Sequence, residues 1–329
     1  MSNGCETLTL ADICDFLKQR DNYVVLTHAS PDGDTLGSAY ALKLGLKKLG
    51  KKVQVICCDE IPHKYDYFIF DGDCDFIPET VVAVDVADSN LLGALKDEFA
   101  DKVELCIDHH ISNTEYAKKL YLDSDAAAAA ECIYDLIAYM RVNINDITAK
   151  AIYTALATDT GCFKYSNVTE KTHRIAASLY EFNIDASEIN RLMFDTKSKR
   201  LLELEKQVLE TAEFHFDDRC MLLTVTEKMQ TETECSGTEL EGIAVISRSV
   251  EGVKVGITLK QIDTEEFKIS VRTYPPIDAS LICKKLGGGG HKAAAGATVK
   301  GSLSSVKKEV LDVVSEALEV AYAGADSIK

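Results

Sequence analysis

Positive charge is scarce in this 329-residue sequence: 36 Lys and Arg stand against 53 Asp and Glu, a formal net charge of −17. Tracking a long polyanion takes many Lys or Arg contacts to phosphates, so this balance argues against a binder of long nucleic acid. It leaves room for a small anion held locally, because bound divalent cations supply positive charge where it is needed. Long apolar runs are also missing, and no helical membrane span is expected. The start, Met1-Ser2-Asn3-Gly4-Cys5-Glu6, lacks the basic-then-apolar order of a secretory signal. The eleven cysteines show no CxxC spacing, and Cys57-Cys58 is the only close pair. An odd, unpatterned count reads as reduced thiols in the cytoplasm and excludes a disulfide framework or a zinc site. No internal repeat is visible. What remains is a globular composition, 46% apolar, with length for roughly two domains.

The chain is organised around Val24-Val25-Leu26-Thr27-His28-Ala29-Ser30-Pro31-Asp32-Gly33-Asp34-Thr35-Leu36-Gly37-Ser38. Its apolar, β-branched beginning predicts a buried strand ending at Thr27-His28. Pro31 and Gly33 predict a turn. From Asp34 a helical pattern follows, with Leu36, Ala39, Tyr40, Leu44, Leu46 and Leu49 apolar and Gly50 as a stop. One imidazole and two carboxylates thus share a strand-to-helix turn, where open α/β sheets bind ligands. Taken alone, the turn reads equally well as a capped one, with Asp34 as N-cap.

Further strands are predicted at Lys52–Cys57, Tyr67–Phe70, Thr80–Asp85 and Val103–Asp108, with a turn at Asp71-Gly72-Asp73. Helical patterns cover residues 7–20, 125–140, 146–158, 172–182 and 186–193. The alternation predicts an α/β fold with a doubly wound, mostly parallel sheet over residues 1–194. A charged helix fills 195–213 as a linker. Residues 214–329 read as a smaller α+β domain, with strands at 220–226, 243–249, 253–259 and 267–273. Helices are expected there at 278–286 and 304–321.

His28, Asp32, Asp34, Asp85, Asp88, Asp108, His109, His110 and Asp159 all fall at predicted strand or helix ends. In a parallel sheet the strand C-termini share one edge, so these groups converge. So many carboxylates in one crevice repel one another unless cations sit between them. Two divalent ions would neutralise them, and two-metal sites suit in-line phosphoryl transfer to water.

With these residues assembled, the sequence resembles the DHH phosphoesterases. His28 to Asp34 with Gly37-Ser38, then Val84-Asp85, then Asp108-His109-His110, then Asp159 look like that family's four ordered motifs. Gly287-Gly288-Gly289-Gly290-His291-Lys292 with Ala294-Ala295-Gly296 looks like the signature of its associated C-terminal domain. Length and linker resemble the subgroup of oligoribonucleases and 3′-phosphoadenosine 5′-phosphate (PAP) phosphatases, whose members also degrade linear products of cyclic dinucleotides.

The resemblance implies two Mn²⁺ ions, with Mg²⁺ or Co²⁺ as substitutes. His28, Asp32 and Asp85 would hold one; Asp34, Asp85, His109 and Asp159 would hold the other. Asp108 would orient a histidine, and His110 would face the scissile phosphate. Asn113, Gly288, Gly289, Gly290, His291 and Arg272 would contact substrate, the glycines as an anion nest and Arg272 as a phosphate clamp, with Arg248 a weaker candidate. Two departures stand out. Val271-Arg272-Thr273 replaces the family's Leu-Arg-Ser, and Ala126 to Ala130 replace residues that often include Ser or Thr. The expected activity is hydrolysis of phosphate esters in short oligonucleotides or nucleoside bisphosphates. A pyrophosphatase or polyphosphatase on the same metal core, and a non-catalytic nucleotide sensor, are the alternatives. The oligomeric state is left open, a homodimer included.

Overall fold

The computed structural model describes residues 4–70, 75–235, 240 and 242–323, which fall into two compact units, Met1–Thr196 and Lys197–Lys329. The first unit runs β1 (Glu6–Thr7), α1 (Leu10–Gln19), β2 (Tyr23–Leu26), α2 (Gly33–Lys48), β3 (Val53–Ile56), β4 (Thr80–Val84), α3 (Lys96–Phe99), β5 (Val103–Asp108), β6 (Lys119–Leu122), α4 (Ala129–Tyr139), α5 (Asp146–Asp159), α6 (Glu170–Leu179) and α7 (Ala186–Asn190). Its six strands form one sheet in the order β1-β6-β5-β4-β2-β3, and every pairing is parallel.

Both faces of this sheet are covered, which is why β2, β4 and β5 read as unbroken apolar runs. Side chains alternate across the pleat. Val25, Val82, Val84, Leu105 and Ile107 face the core built with α1, α2, α4 and α5. Val24, Leu26, Val81, Ala83 and Cys106 face a smaller layer containing Leu92 and Phe99. From β2 the chain first goes to β3 on one side and then to β4 on the other. The carboxyl ends of β2 and β4 therefore flank a topological switch point.

Helix α2 is buried from Gly33 to Leu46 and packs closely on α5. Two glycines allow the approach. A Cβ at Gly37 would lie 2.3 Å from the Ala151 carbonyl, and one at Gly33 would lie 2.4 Å from Thr158 Oγ1. This contact sets the end of α5 beside the start of α2.

The second unit runs α8 (Lys199–Leu209), β7 (Glu213–His215), β8 (Cys220–Val225), α9 (Glu227–Thr233), α10 (Ile243–Ile246), β9 (Val255–Asp263), β10 (Glu266–Thr273), α11 (Ala279–Lys285), β11 (Gly289–His291), β12 (Ala294–Lys300) and α12 (Leu303–Tyr322). Its mixed sheet has the order β11-β12-β10-β9-β8-β7. Val306, Val310, Val314 and Leu318 of α12 pack on one face with Ile257, Ile269 and Val271. Leu204 and Val208 of α8 pack with Met221 and Leu223 on the other.

The structure departs from the sequence reading in several places. Tyr67–Phe70 is not a strand: Tyr65 to Phe68 form tight turns in which Tyr65 and Tyr67 pack on Phe68, while Phe68 and Phe70 pack edge-on against Tyr40. The segment read as a strand at 243–249 contains helix α10, with Ile243 and Ala244 buried at successive positions. Strands β1 and β6 are too short and too polar to announce themselves, and they pair at one end of the sheet. The turn at Asp71-Gly72-Asp73 lies outside the described residues. Among the described residues, no helix is long and apolar enough to cross a membrane.

Candidate active site

Strand β2 ends at Leu26, and Asp32, not Asp34, caps the helix that follows. Its Oδ1 accepts from the Asp34 and Thr35 amides at 3.0 and 3.1 Å. That leaves the buried Asp34 one step inside α2. Asp34 Oδ1 accepts from Ser38 Oγ at 2.9 Å and from the Ala130 amide at 3.1 Å, and its Oδ2 accepts from the Ala129 amide at 2.6 Å. Helix α4 has no side-chain cap of its own at Ala128; the carboxylate of Asp34 does that work from 95 residues away, where a negative charge at a helix N-terminus is stabilising.

Asp85 follows β4 with φ at +60°, a left-handed conformation that a non-glycine residue adopts at a cost. Its buried carboxylate faces three imidazoles: His28 Nε2 at 3.9 Å, His109 Nε2 at 3.5 Å and His110 Nδ1 at 3.4 Å. His109 Nε2 also lies 3.7 Å from Asp34 Oδ2 and 3.6 Å from Asp159 Oδ2. His28 Nε2 lies 3.6 Å from Asp32 Oδ1.

The histidine tautomers follow from their second nitrogens. His28 Nδ1 donates to the Ala29 carbonyl at 2.8 Å, and His109 Nδ1 donates to the Ala126 carbonyl at 3.1 Å. A carbonyl only accepts, so each Nδ1 carries a proton and each Nε2 is turned to the carboxylates. His109 Nε2 and Asp85 Oδ1 are buried and make no hydrogen bond. Buried polar atoms are seldom left so, and a cation between them would satisfy both.

Among the described residues, three groups could hold a metal ion, each with its ligand atoms within 4.8 Å of one another: His28, Asp32 and Asp85; Asp34, His109 and Asp159; and Asp85, His109 and His110. Mixed imidazole and carboxylate donors suit a divalent ion such as Mn²⁺, and no thiolate takes part. The electrostatics agree with a cation site. Desolvation, then the charges of Asp85 and Asp159, push Asp34 well above the usual carboxylate range. Desolvation likewise pushes Asp159 up to about 7.

His110 is held differently. Its Nδ1 donates to Asp108 Oδ1 at 2.8 Å. That same oxygen accepts the His109 and His110 amides at 2.8 and 3.2 Å, and Asp108 Oδ2 accepts from Asn113 Nδ2 at 2.6 Å. Asn113 therefore spends its amide on Asp108, and Asp108 fixes the ring of His110. Asp88, grouped with the converging residues by its place after β4, instead caps the 3₁₀ turn Ser89–Leu95 and accepts from the Asn90 amide at 2.7 Å.

In the second unit, Arg272 on β10 and His291 on β11 are both paired with Ala294 of β12, so the three form one row across the sheet. The glycine stretch is not an open nest. The amides of Gly287 and Gly288 bond the carbonyls of Lys284 and Cys283 at the end of α11, which removes them as anion donors. Gly289 and Gly290 belong to edge strand β11, and a Cβ at Gly290 would lie 2.6 Å from Ala295 Cα. Close backbone packing accounts for Gly288 and Gly290, while Gly289 has open space around it. Arg248 stacks its guanidinium 5.1 Å over the Tyr274 ring.

Comparison with known proteins identifies the family. Residues 22–158 match the DHH family, N-terminal domain, and residues 221–320 match the DHHA1 domain. A bifunctional oligoribonuclease and PAP phosphatase from Thermus thermophilus is 33% identical over 304 residues, 89% of each chain. The chain belongs to the DHH family. It is accordingly an enzyme of the phosphoesterase class. A protein of the same description from Bacillus subtilis is 22% identical, over 85% of this chain and 90% of its own. Among solved structures, an exopolyphosphatase-related protein from Bacteroides fragilis superposes with a TM-score of 0.81 at 25% identity, over 95% and 96% of the two chains.

Two features of this DHH site have no local signal in the sequence. One is the link from Asp34 to the amides of Ala129 and Ala130. The other is Asn167, an exposed polar residue in a loop, whose amide reaches two carbonyls of the first unit.

Proposed function

We propose that this chain hydrolyses phosphate esters in short oligonucleotides and in nucleoside 3′,5′-bisphosphates, using two Mn²⁺ ions, in the cytoplasm. The observation that carries the reading is the buried pair His109 Nε2 and Asp85 Oδ1, both without hydrogen bonds and ringed by Asp34 and Asp159. Similarity to the oligoribonuclease and PAP phosphatase of Thermus thermophilus supports the substrate class. Free thiols at every described cysteine support a reducing compartment.

In this reading His28, Asp32 and Asp85 hold one ion, and Asp34, Asp85, His109 and Asp159 the other. Two divalent ions held by these residues would supply a lowered water pKa and charge stabilisation at the phosphoryl oxygens. The remaining steps belong to side chains. Asn113 holds Asp108, Asp108 holds His110 Nδ1, and the ring presents Nε2 to the scissile phosphate. Burial alone would favour the neutral imidazole, but Asp108 and Asp85 outweigh it and raise the His110 pKa. A protonated His110 is a general acid for the leaving oxygen. Arg272 and His291 bind a further phosphate of the substrate, matching the preference of guanidinium for phosphate oxygens. The net charge of −17 supports short substrates over long strands.

A panel of di- to pentanucleotides, a nucleoside 3′,5′-bisphosphate, a cyclic dinucleotide and pyrophosphate, each with Mn²⁺ and with chelator, tests the proposal. Multiple turnover of the short linear nucleotides or the bisphosphate, lost with chelator, is the expected result. Turnover of pyrophosphate alone would assign a pyrophosphatase, and binding without turnover a sensor.

A further inference from the structure

Every residue from Ala126 to Ala130 is buried, four of them completely. No side chain in this stretch can reach a ligand, yet its main chain touches the site repeatedly. The Ala126 carbonyl accepts from His109 Nδ1 at 3.1 Å. The Ala129 and Ala130 amides donate to Asp34 at 2.6 and 3.1 Å. The Ala127 carbonyl accepts from Asn167 Nδ2 at 2.9 Å, and the same amide nitrogen donates to the Asp159 carbonyl at 3.2 Å. An amide NH₂ has two protons, so one nitrogen serves both carbonyls.

We infer that the Ala126–Ala130 backbone, with Asn167 as its clasp to Asp159, is the positioning frame for the Asp34–His109–Asp159 metal group and not for the His28–Asp32–Asp85 group. The inference rests on the two-ion reading above. His109 is oriented through Ala126, Asp34 through Ala129 and Ala130, and Asp159 through Asn167 and Ala127. The second group draws on different contacts. His28 is oriented by its neighbour Ala29, and Asp32 by the first turn of α2. Alanine suits the frame because all five successive positions are buried. Asn167 is the one member whose contribution a substitution can remove, and it is a positioning residue, since it touches the backbone of Asp159 and not its carboxylate.

The distinction predicts a selective defect. Partners that orient metal ligands are worth about 10–100-fold in metal affinity. Asn167→Asp keeps the shape but sets an acceptor against two carbonyls; Asn167→Ala only deletes the donor. Mn²⁺ binding to the full-length protein, followed by calorimetry and by the paramagnetic resonance of free Mn²⁺, reads the two equivalents separately. The expected result is one equivalent unchanged and the other weakened by about 10–100-fold, more in Asn167→Asp than in Asn167→Ala, with thermal melting of the metal-free protein near that of the parent. A His28→Ala control should weaken the opposite equivalent. Unchanged binding of both equivalents in Asn167→Asp overturns the inference. So does equal weakening of both with a lowered melting temperature, which would mean that Asn167 merely supports the fold. Failure of the unmodified protein to bind two equivalents would instead overturn the two-ion reading.

Discussion

At the scale of single residues, the proposed site would rest on a few atoms. Asp85 faces all three histidines, so it is the point where the two proposed ion sites meet. Asp85→Asn keeps its volume and removes its charge; Mn²⁺ binding and turnover should fall by more than the roughly 10–100-fold that outer partners cost, measured by calorimetry and product release. His110→Ala should lower turnover by about 10²–10⁴-fold, the scale of a proton donor, with Mn²⁺ content as in the parent protein. A drop in metal content would make His110 a ligand through the Asp85–His109–His110 group. The pH dependence has a definite sign. Burial pulls the His28 and His109 imidazoles down, but the surrounding carboxylates more than reverse this, holding His28 up at about 10 and His109 up at about 11. Without a cation both rings are protonated at neutral pH, and ligands must shed those protons to bind metal. Mn²⁺ affinity should therefore rise with pH, and calorimetry in buffers of different ionisation enthalpy should show protons released.

At the scale of elements, the packing of α2 on α5 decides whether Asp34 and Asp159 meet at all. A methyl at Gly37 points at the Ala151 carbonyl, 2.3 Å away, and backbone cannot swing aside. Gly37→Ala should destabilise the protein by about 1–3 kcal/mol, the usual cost of overpacking, read from urea unfolding. The sequence announced much of this layer. Apolar runs ending in Asp85 and in Asp108-His109-His110 identified β4 and β5 and placed their last residues at one edge, and the structure forms that parallel sheet. The turn after β2 was legible too, although its cap is Asp32. What could not be read depends on distance along the chain. Tyr67–Phe70 looks like a strand because aromatic and β-branched residues favour strands, and what separates it from one is the packing of Phe68 and Phe70 on the distant Tyr40. The glycine stretch at 287–290 suggested an anion nest, because permissive backbone looks the same whether it serves a ligand or the close approach of β12. Asn167 carried no signal, since a lone polar loop residue has no period to betray it.

At the scale of the whole molecule, the proposed function would give each unit its own task in phosphate chemistry. The first gathers carboxylates and imidazoles at the carboxyl edge of its parallel sheet; the second aligns Arg272 and His291 in a row across another. With a net charge of −17, each further nucleotide would add little binding energy, so in the proposed function a preference for short substrates would come from a few fixed cationic groups. Arg272→Ala should cost about 1.5–3 kcal/mol in kcat/KM, the value of a charge-assisted bond, on a dinucleotide carrying a terminal phosphate. The loss should vanish on the same dinucleotide without it. Equal losses on both would return Arg272 to a role in the fold and move attention to Arg248 and His291.

The use of Asp34 as the N-terminal cap of α4 has a practical consequence. Two backbone amides, those of Ala129 and Ala130, end on a carboxylate that also faces the crevice. Their proton resonances and exchange rates form a built-in gauge of that carboxylate. Such a gauge needs neither substrate nor turnover, so occupancy of the centre can be followed even in a variant silenced at His110.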